Sequence, residues 1–119
     1  MFKWIVLISK RKDLSREQFI DYYENFHVPL LRRILPRIEI YRRNYICHDD
    51  AMFAIDDRGG NAEDYGFDVV TEAIFNTRAE AEALMAAFAD PDIFRQVKED
   101  EAKFVEPGCA KMFVVEVRE

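Results

Sequence analysis

No apolar run in this sequence approaches the ~18 residues needed to cross a bilayer; the longest, Trp4 to Ile8, is a strand's length. Nothing in the opening residues has the basic start, long apolar stretch and small-residue cleavage site of a signal peptide. Cysteine is scarce: Cys47 and Cys109 stand alone, without metal-ligand spacing, as expected of reduced thiols in a cytoplasmic protein. Glycine is scarce too, and Arg58-Gly59-Gly60 matches neither glycine-rich nucleotide fingerprint. A net positive charge is missing: the balance is -6 and the pI about 5.0, which argues against nucleic acid or an anionic membrane as the main partner. Arg32, Arg33, Arg37, Arg42 and Arg43 cluster locally, but opposing carboxylates make them a solvated face or a subunit contact.

What the chain does have is aromatic and apolar mass. Five Tyr, ten Phe and one Trp sit among 119 residues that are 50% hydrophobic and 34% charged, the balance of one globular domain with a modest core. Most of these rings fill that core, and some, Trp4 and Phe26 among them, are candidates to line a pocket.

The stretch Asp13 to Pro36 is the most informative. Ser15 with Gln18 reads as a capping box that starts a helix. At ~100° per residue, Phe19, Ile20, Tyr22, Tyr23, Phe26, Leu30, Leu31 and Ile34 form one apolar face, with His27 beside Tyr23 and Phe26 on it. Pro29 has no N–H and pushes Val28 away from the α region, so the helix is expected to break or kink near His27 and restart with the proline in its first turn. An imidazole, which exchanges protons near neutral pH, is thus displayed at an interruption. Two readings follow: a catalytic base or acid, or a buried histidine bonded to a freed backbone carbonyl.

The remaining elements follow from period and punctuation. Residues 1–9 read as a strand apolar on both faces, and 37–49 as a strand with Ile40, Arg42, Asn44 and Ile46 on one side and Tyr41, Arg43, Tyr45 and Cys47 on the other. Asn44 is either a paired core amide or a ligand contact. A long acidic connection over 49–66 is the length of a lid or binding loop. His48, Asp49 and Asp50 stand at its start, and as neighbours on an extended chain they point apart and are not read as a metal site. Residues 68–76 form the next strand, with Asp68, Val70, Glu72 and Ile74 on one face. Glu72 is either desolvated, with a raised pKa, or held ionised by a structural ion pair with an arginine. Thr77 with Glu80 reads as another capping box, Asp90-Pro91 interrupts that helix, Pro107-Gly108 stops its successor, and residues 109–117 read as the last strand.

The order is strand, helix, strand, strand, helix, strand. That is an α+β chain, βαββαβ, with helices on one side of a four-stranded antiparallel sheet. Strands apolar on both sides would leave the other sheet face too hydrophobic for water. A homodimer through that open face, two sheets packed about a barrel-like core, is the expected solution.

The segments LSREQFIDYYENFHVPLLRRI, YRRN, DVVTEAIF and DEAKFVEP resemble the EthD family of the dimeric α/β barrel superfamily. Ser15, Phe19, Tyr23, His27, Pro29, Leu30, Tyr41, Asn44, Asp68, Glu72, Asp100, Glu101 and Phe104 stand at matching positions. The His-x-Pro-Leu and Asp-Glu-x-x-Phe elements, in that order, are its most specific part. Tyr45 stands where the family often has a second histidine, which puts any mechanism needing two imidazoles in doubt.

The resemblance implies a ferredoxin-like fold, a homodimer, and a pocket for a small apolar or aromatic ligand between sheet and helices. It implies chemistry like that of polyketide dehydratases, cyclases or cofactor-free monooxygenases, or of ether catabolism, without metal or organic cofactor. Within it His27 is the candidate general base or acid. Asp68 or Glu72 are candidates to orient the imidazole, and Tyr23, Tyr41 and Asn44 to bond a substrate carbonyl or phenol. A non-catalytic binding or accessory protein with the same dimer and pocket is the alternative.

Overall fold

A computed structural model describes residues 1–50 and 66–119, so most of the expected 49–66 connection lies outside the described residues. Strand β1 (Phe2–Lys10) is followed by helix α1 (Arg16–Tyr22), a π-helical turn (Tyr23–His27) and helix α2 (Val28–Ile34). Strands β2 (Ile40–Tyr45) and β3 (Val69–Phe75), helices α3 (Arg78–Ala87) and α4 (Pro91–Glu101), and strand β4 (Val105–Val115) complete it. The strands pair antiparallel in the order β2-β3-β1-β4, the ferredoxin-like α+β arrangement.

Alternation along the strands decides which side the helices cover. On β3, Val69, Thr71, Ala73 and Phe75 are buried beneath the helices, with Trp4 and Ile8 beside them on β1. Val70, Glu72 and Ile74, together with Lys3, Ile5 and Leu7, point to the opposite face, which no element among the described residues covers. A strand's period of two makes this division unavoidable once one face is buried.

The helix caps follow their sequence signals. Ser15 accepts from the Gln18 N–H at 3.1 Å and Gln18 returns the bond to the Ser15 N–H at 2.8 Å. Thr77 accepts from the Glu80 N–H at 3.3 Å, but the Glu80 carboxylate bonds the Asn76 N–H, so the second capping box is left half-formed. Asp90 caps α4, with Pro91 in its first turn. Pro107-Gly108 ends no helix: α4 stops at Glu101, and both residues lie within β4, at a register shift opposite Ile8 and Lys10. The shift needs a left-handed residue, and Gly108 supplies it with φ +76°.

The interruption expected at His27 is a π turn and not a break, and α2 restarts with Pro29 in its first turn as expected, but Val28 does not leave the α region. Val28 keeps α-helical angles, φ -58° and ψ -47°, and its N–H reaches back five residues to the carbonyl of Tyr23. One π turn absorbs Pro29, so α1 and α2 run on as a continuous helical segment.

Candidate functional site

Within that segment an α-helix would place residues five apart about 140° from one another. The π turn, bonded i to i+5, instead stacks Tyr22 and His27 on the same side. Both meet the last turn of α4. Tyr22 donates its phenol O–H to Asp100 Oδ1 at 2.6 Å, and His27 Nδ1 lies 2.8 Å from Asp100 Oδ2. Phe104, fully buried, forms the floor: its ring centroid is 4.8 Å from that of His27, 5.5 Å from Tyr22 and 5.0 Å from Tyr23.

His27 is only 4% exposed, and burial pulls its pKa below the ordinary imidazole value. The hydrogen bond and charge of Asp100, and the charge of Glu101, pull the other way and lose. The ring is therefore neutral at neutral pH. Its Nδ1 carries the proton given to Asp100, and its Nε2 presents a lone pair, the form a general base requires. Burial, reinforced by Asp100, pushes the Tyr22 phenol up to about 12, so it stays a donor.

A second polar group lies on the sheet side of the same turn. The Tyr23 hydroxyl is 2.8 Å from Thr71 Oγ1 and 3.2 Å from the Tyr41 hydroxyl. The Arg43 guanidinium sits 5.0 Å from the Tyr41 ring centroid and is gripped by both oxygens of Glu24, at 2.8 and 2.7 Å. Burial raises the pKa of Tyr41 well above that of a free phenol and raises Tyr23 likewise. Tyr41 also lines a groove of about 490 Å³ whose apolar walls are Leu31, Leu35, Pro36 and Ile38.

The model of the EthD domain matches residues 11–108, which include His27, Asp100 and Phe104. The chain belongs to the EthD family. No curated protein matches it in sequence. Among solved structures, this EthD chain is similar to an EthD-family protein of Bacillus halodurans at 17% identity and TM-score 0.61, covering 99% of this chain and 100% of that one. It is similar to an Arabidopsis thaliana protein at 12% identity and TM-score 0.60, covering 100% and 97%. It is also similar to the hydroxynitrile lyase of Passiflora edulis at 20% identity and TM-score 0.50, covering 99% and 95%. At these identities the likeness is one of fold.

The candidate site residues of this EthD chain divide into two groups. His27, Tyr23 and Tyr41 come together, whereas Glu72, Asp68, Asn44, Trp4 and Phe26 do not join them. Glu72 lies on the open sheet face, 2.6 Å from Lys3 Nζ, 2.9 Å from Asn44 Nδ2 and 3.6 Å from Arg42. Those partners hold its carboxyl below the usual range, Lys3 first and Asn44 next, so it is an ion pair chiefly with a lysine. Asn44 is a paired amide, bonded also to the Val70 carbonyl at 2.9 Å.

Asp68 sits at the sheet end and accepts from the Lys10 N–H at 2.8 Å, with His48 Nε2 3.2 Å from its other oxygen. Trp4 packs on Phe75 in the core beneath α3. Phe26 is 54% exposed and stacks on the outer side of Tyr22. The carboxylate that meets His27 is Asp100 of α4 and not the Asp68 or Glu72 expected to orient it, because Glu72 points through the opposite face of the sheet and Asp68 is bonded at the sheet end. Among the described residues no group of three or more His, Cys, Asp or Glu is placed to hold a metal ion, and no helix is long and apolar enough to cross a membrane.

A reading by period is silent on Asp100, and it places Tyr22 on the apolar face without singling it out. Asp100 did carry a signal, as the first residue of the Asp-Glu-x-x-Phe element. What period misses for Tyr22 is its convergence with His27, because nothing local announces the π turn.

The lowered pKa of His27 makes a prediction for stability. A group whose folded-state pKa is depressed stabilises fully above its unfolded value, here ~6.5, and that contribution falls as pH drops from there to the folded-state value. Urea titrations between pH 7 and 5 should therefore show a steeper loss of stability in the wild type than in His27→Gln. Parallel slopes would mean that the ring is not desolvated.

Proposed function

We propose that this EthD protein is a small-molecule enzyme that works by proton transfer from its own side chains, on apolar or aromatic substrates of a polyketide-like or xenobiotic kind. The observation that carries the reading is the Asp100–His27 hydrogen bond of 2.8 Å, which commits Nδ1 and leaves Nε2 as the basic atom. Nε2 takes a proton from a phenol, or from carbon next to a carbonyl, and Asp100 stabilises the imidazolium that forms. Tyr23 and Tyr41, both protonated, are the donors to the substrate oxygen as charge develops there. The groove beside Tyr41 takes the apolar body of the substrate. Dehydration, cyclisation and oxygenation of an electron-rich phenol all begin with this step.

The working unit in this proposal is a homodimer through the open sheet face. Ile40 and Phe113 are 39% and 47% exposed on that face, beside Ile5, Leu7 and Ile74. The charge of Glu72 is already matched by Lys3, and Asn44 donates to its other oxygen, which lowers the cost of covering it. A second reading, a carrier that holds the same ligand without reaction, is favoured by the low exposure of His27, 4%.

Incubating the protein with a panel of phenols and polyketide-like ketones, and following each by mass spectrometry, separates the two. Conversion is expected of the enzyme; retention of an unchanged compound supports the carrier. Sedimentation at micromolar concentration should give twice the chain mass of 14.1 kDa, and a single-chain mass would remove the dimer.

A further inference from the structure

We infer that Tyr22 is a positioning residue for His27: its phenol O–H, given to one oxygen of Asp100, holds the carboxylate so that the other oxygen meets Nδ1. The inference rests on the reading of His27 as the base, but its test is made on the ring itself and needs no substrate.

The geometry is specific. Asp100 stands on α4 and its side chain is 13% exposed. Each carboxylate oxygen has one partner from the facing helical segment, Tyr22 on Oδ1 at 2.6 Å and His27 on Oδ2 at 2.8 Å. A carboxylate gripped at both oxygens cannot rotate about its bond to Cβ without losing a charge-assisted hydrogen bond. That fixes the imidazole tautomer and the direction of Nε2. The two residues are five apart and converge only because the turn between them is π-helical. A tyrosine kept only for packing would need no O–H, since its ring already stacks on Phe26 at 4.9 Å and lies against Phe104.

The groups that face His27 are Asp100 and Glu101 from α4 and Tyr22 and Tyr23 from its own segment; Glu101 is itself paired with Lys98 at 3.2 Å. Of these, Tyr22 alone donates to Asp100 beside His27. Removing its O–H concentrates negative charge on the carboxylate and favours the imidazolium.

Tyr22→Phe, which keeps the ring, should therefore raise the His27 titration midpoint, read by ¹⁵N NMR of the labelled protein, by about half to one pH unit. The same change in an Asp100→Asn background should leave the midpoint where Asp100→Asn alone puts it. In the unsubstituted protein the Tyr22 Cζ resonance should show an inflection at the pH at which His27 titrates, a check that stands even if Tyr22→Phe does not fold. An unmoved midpoint in folded Tyr22→Phe, or no inflection at Tyr22, overturns the inference. Loss of turnover in His27→Gln bears on the base alone. A moved midpoint in a protein that converts no compound would leave the positioning intact and remove the reaction.

Discussion

His27→Gln lowers turnover of any compound the wild type converts by about 10²–10⁴-fold, the usual worth of a placed acid or base, while the fold and ligand retention survive. Glutamine is close in reach, and its amide can still donate to Asp100, so the 2.8 Å contact that ties the π turn to α4 has a successor. What glutamine cannot do is accept a proton and return it. The pH profile of the wild type gives a second readout. Because burial holds the imidazole below its ordinary value, activity should persist as pH falls past ~6.5 and fail only lower, where the ring is at last protonated. Turnover in His27→Gln within a factor of about three of the wild type would remove the base role. Unfolding of both His27→Gln and His27→Ala would return the residue to a structural one.

Phe104→Ala should cost about 3–5 kcal/mol of folding stability, the range for a buried aromatic truncated to alanine. Phe104 has 0% exposure and its ring meets Phe19, Tyr22, Tyr23 and His27, so the loss leaves a cavity walled by rings that cannot close in. Against the ~5–15 kcal/mol total of a typical domain, that is a large share. Phe26→Ala is the matched control. At 54% exposure, with the face of one tyrosine as its main contact, it should cost less than about 1 kcal/mol. Urea midpoints of the two variants decide it, and equal shifts would show that Phe104 is not the floor of the site.

The departures from the sequence reading share a cause. A count at 100° per residue holds only while the helix keeps its pitch, and between Tyr23 and His27 it does not. Phe26 therefore stands on the outside, although period places it on the same apolar face as Tyr22 and His27. On β3 the alternation itself was legible, and Asp68, Glu72 and Ile74 do share a parity. Which parity met the helices was not, because Val70 and Ile74 are as apolar as Val69 and Ala73. Asn44 and Glu72 followed the open face and found each other there, at 2.9 Å.

By itself the sequence determined the elements, their order, the capping residues and the family, because these depend on contacts within a few residues or on a motif kept intact. Only the tertiary structure decided which carboxylate meets His27, since Asp100 is 73 residues away and reaches it by the packing of α4 on the first helical segment. Periodicity assigns a side chain to a face of its own element. It says nothing of which other element that face will touch, and proton chemistry needs two side chains within hydrogen-bond reach.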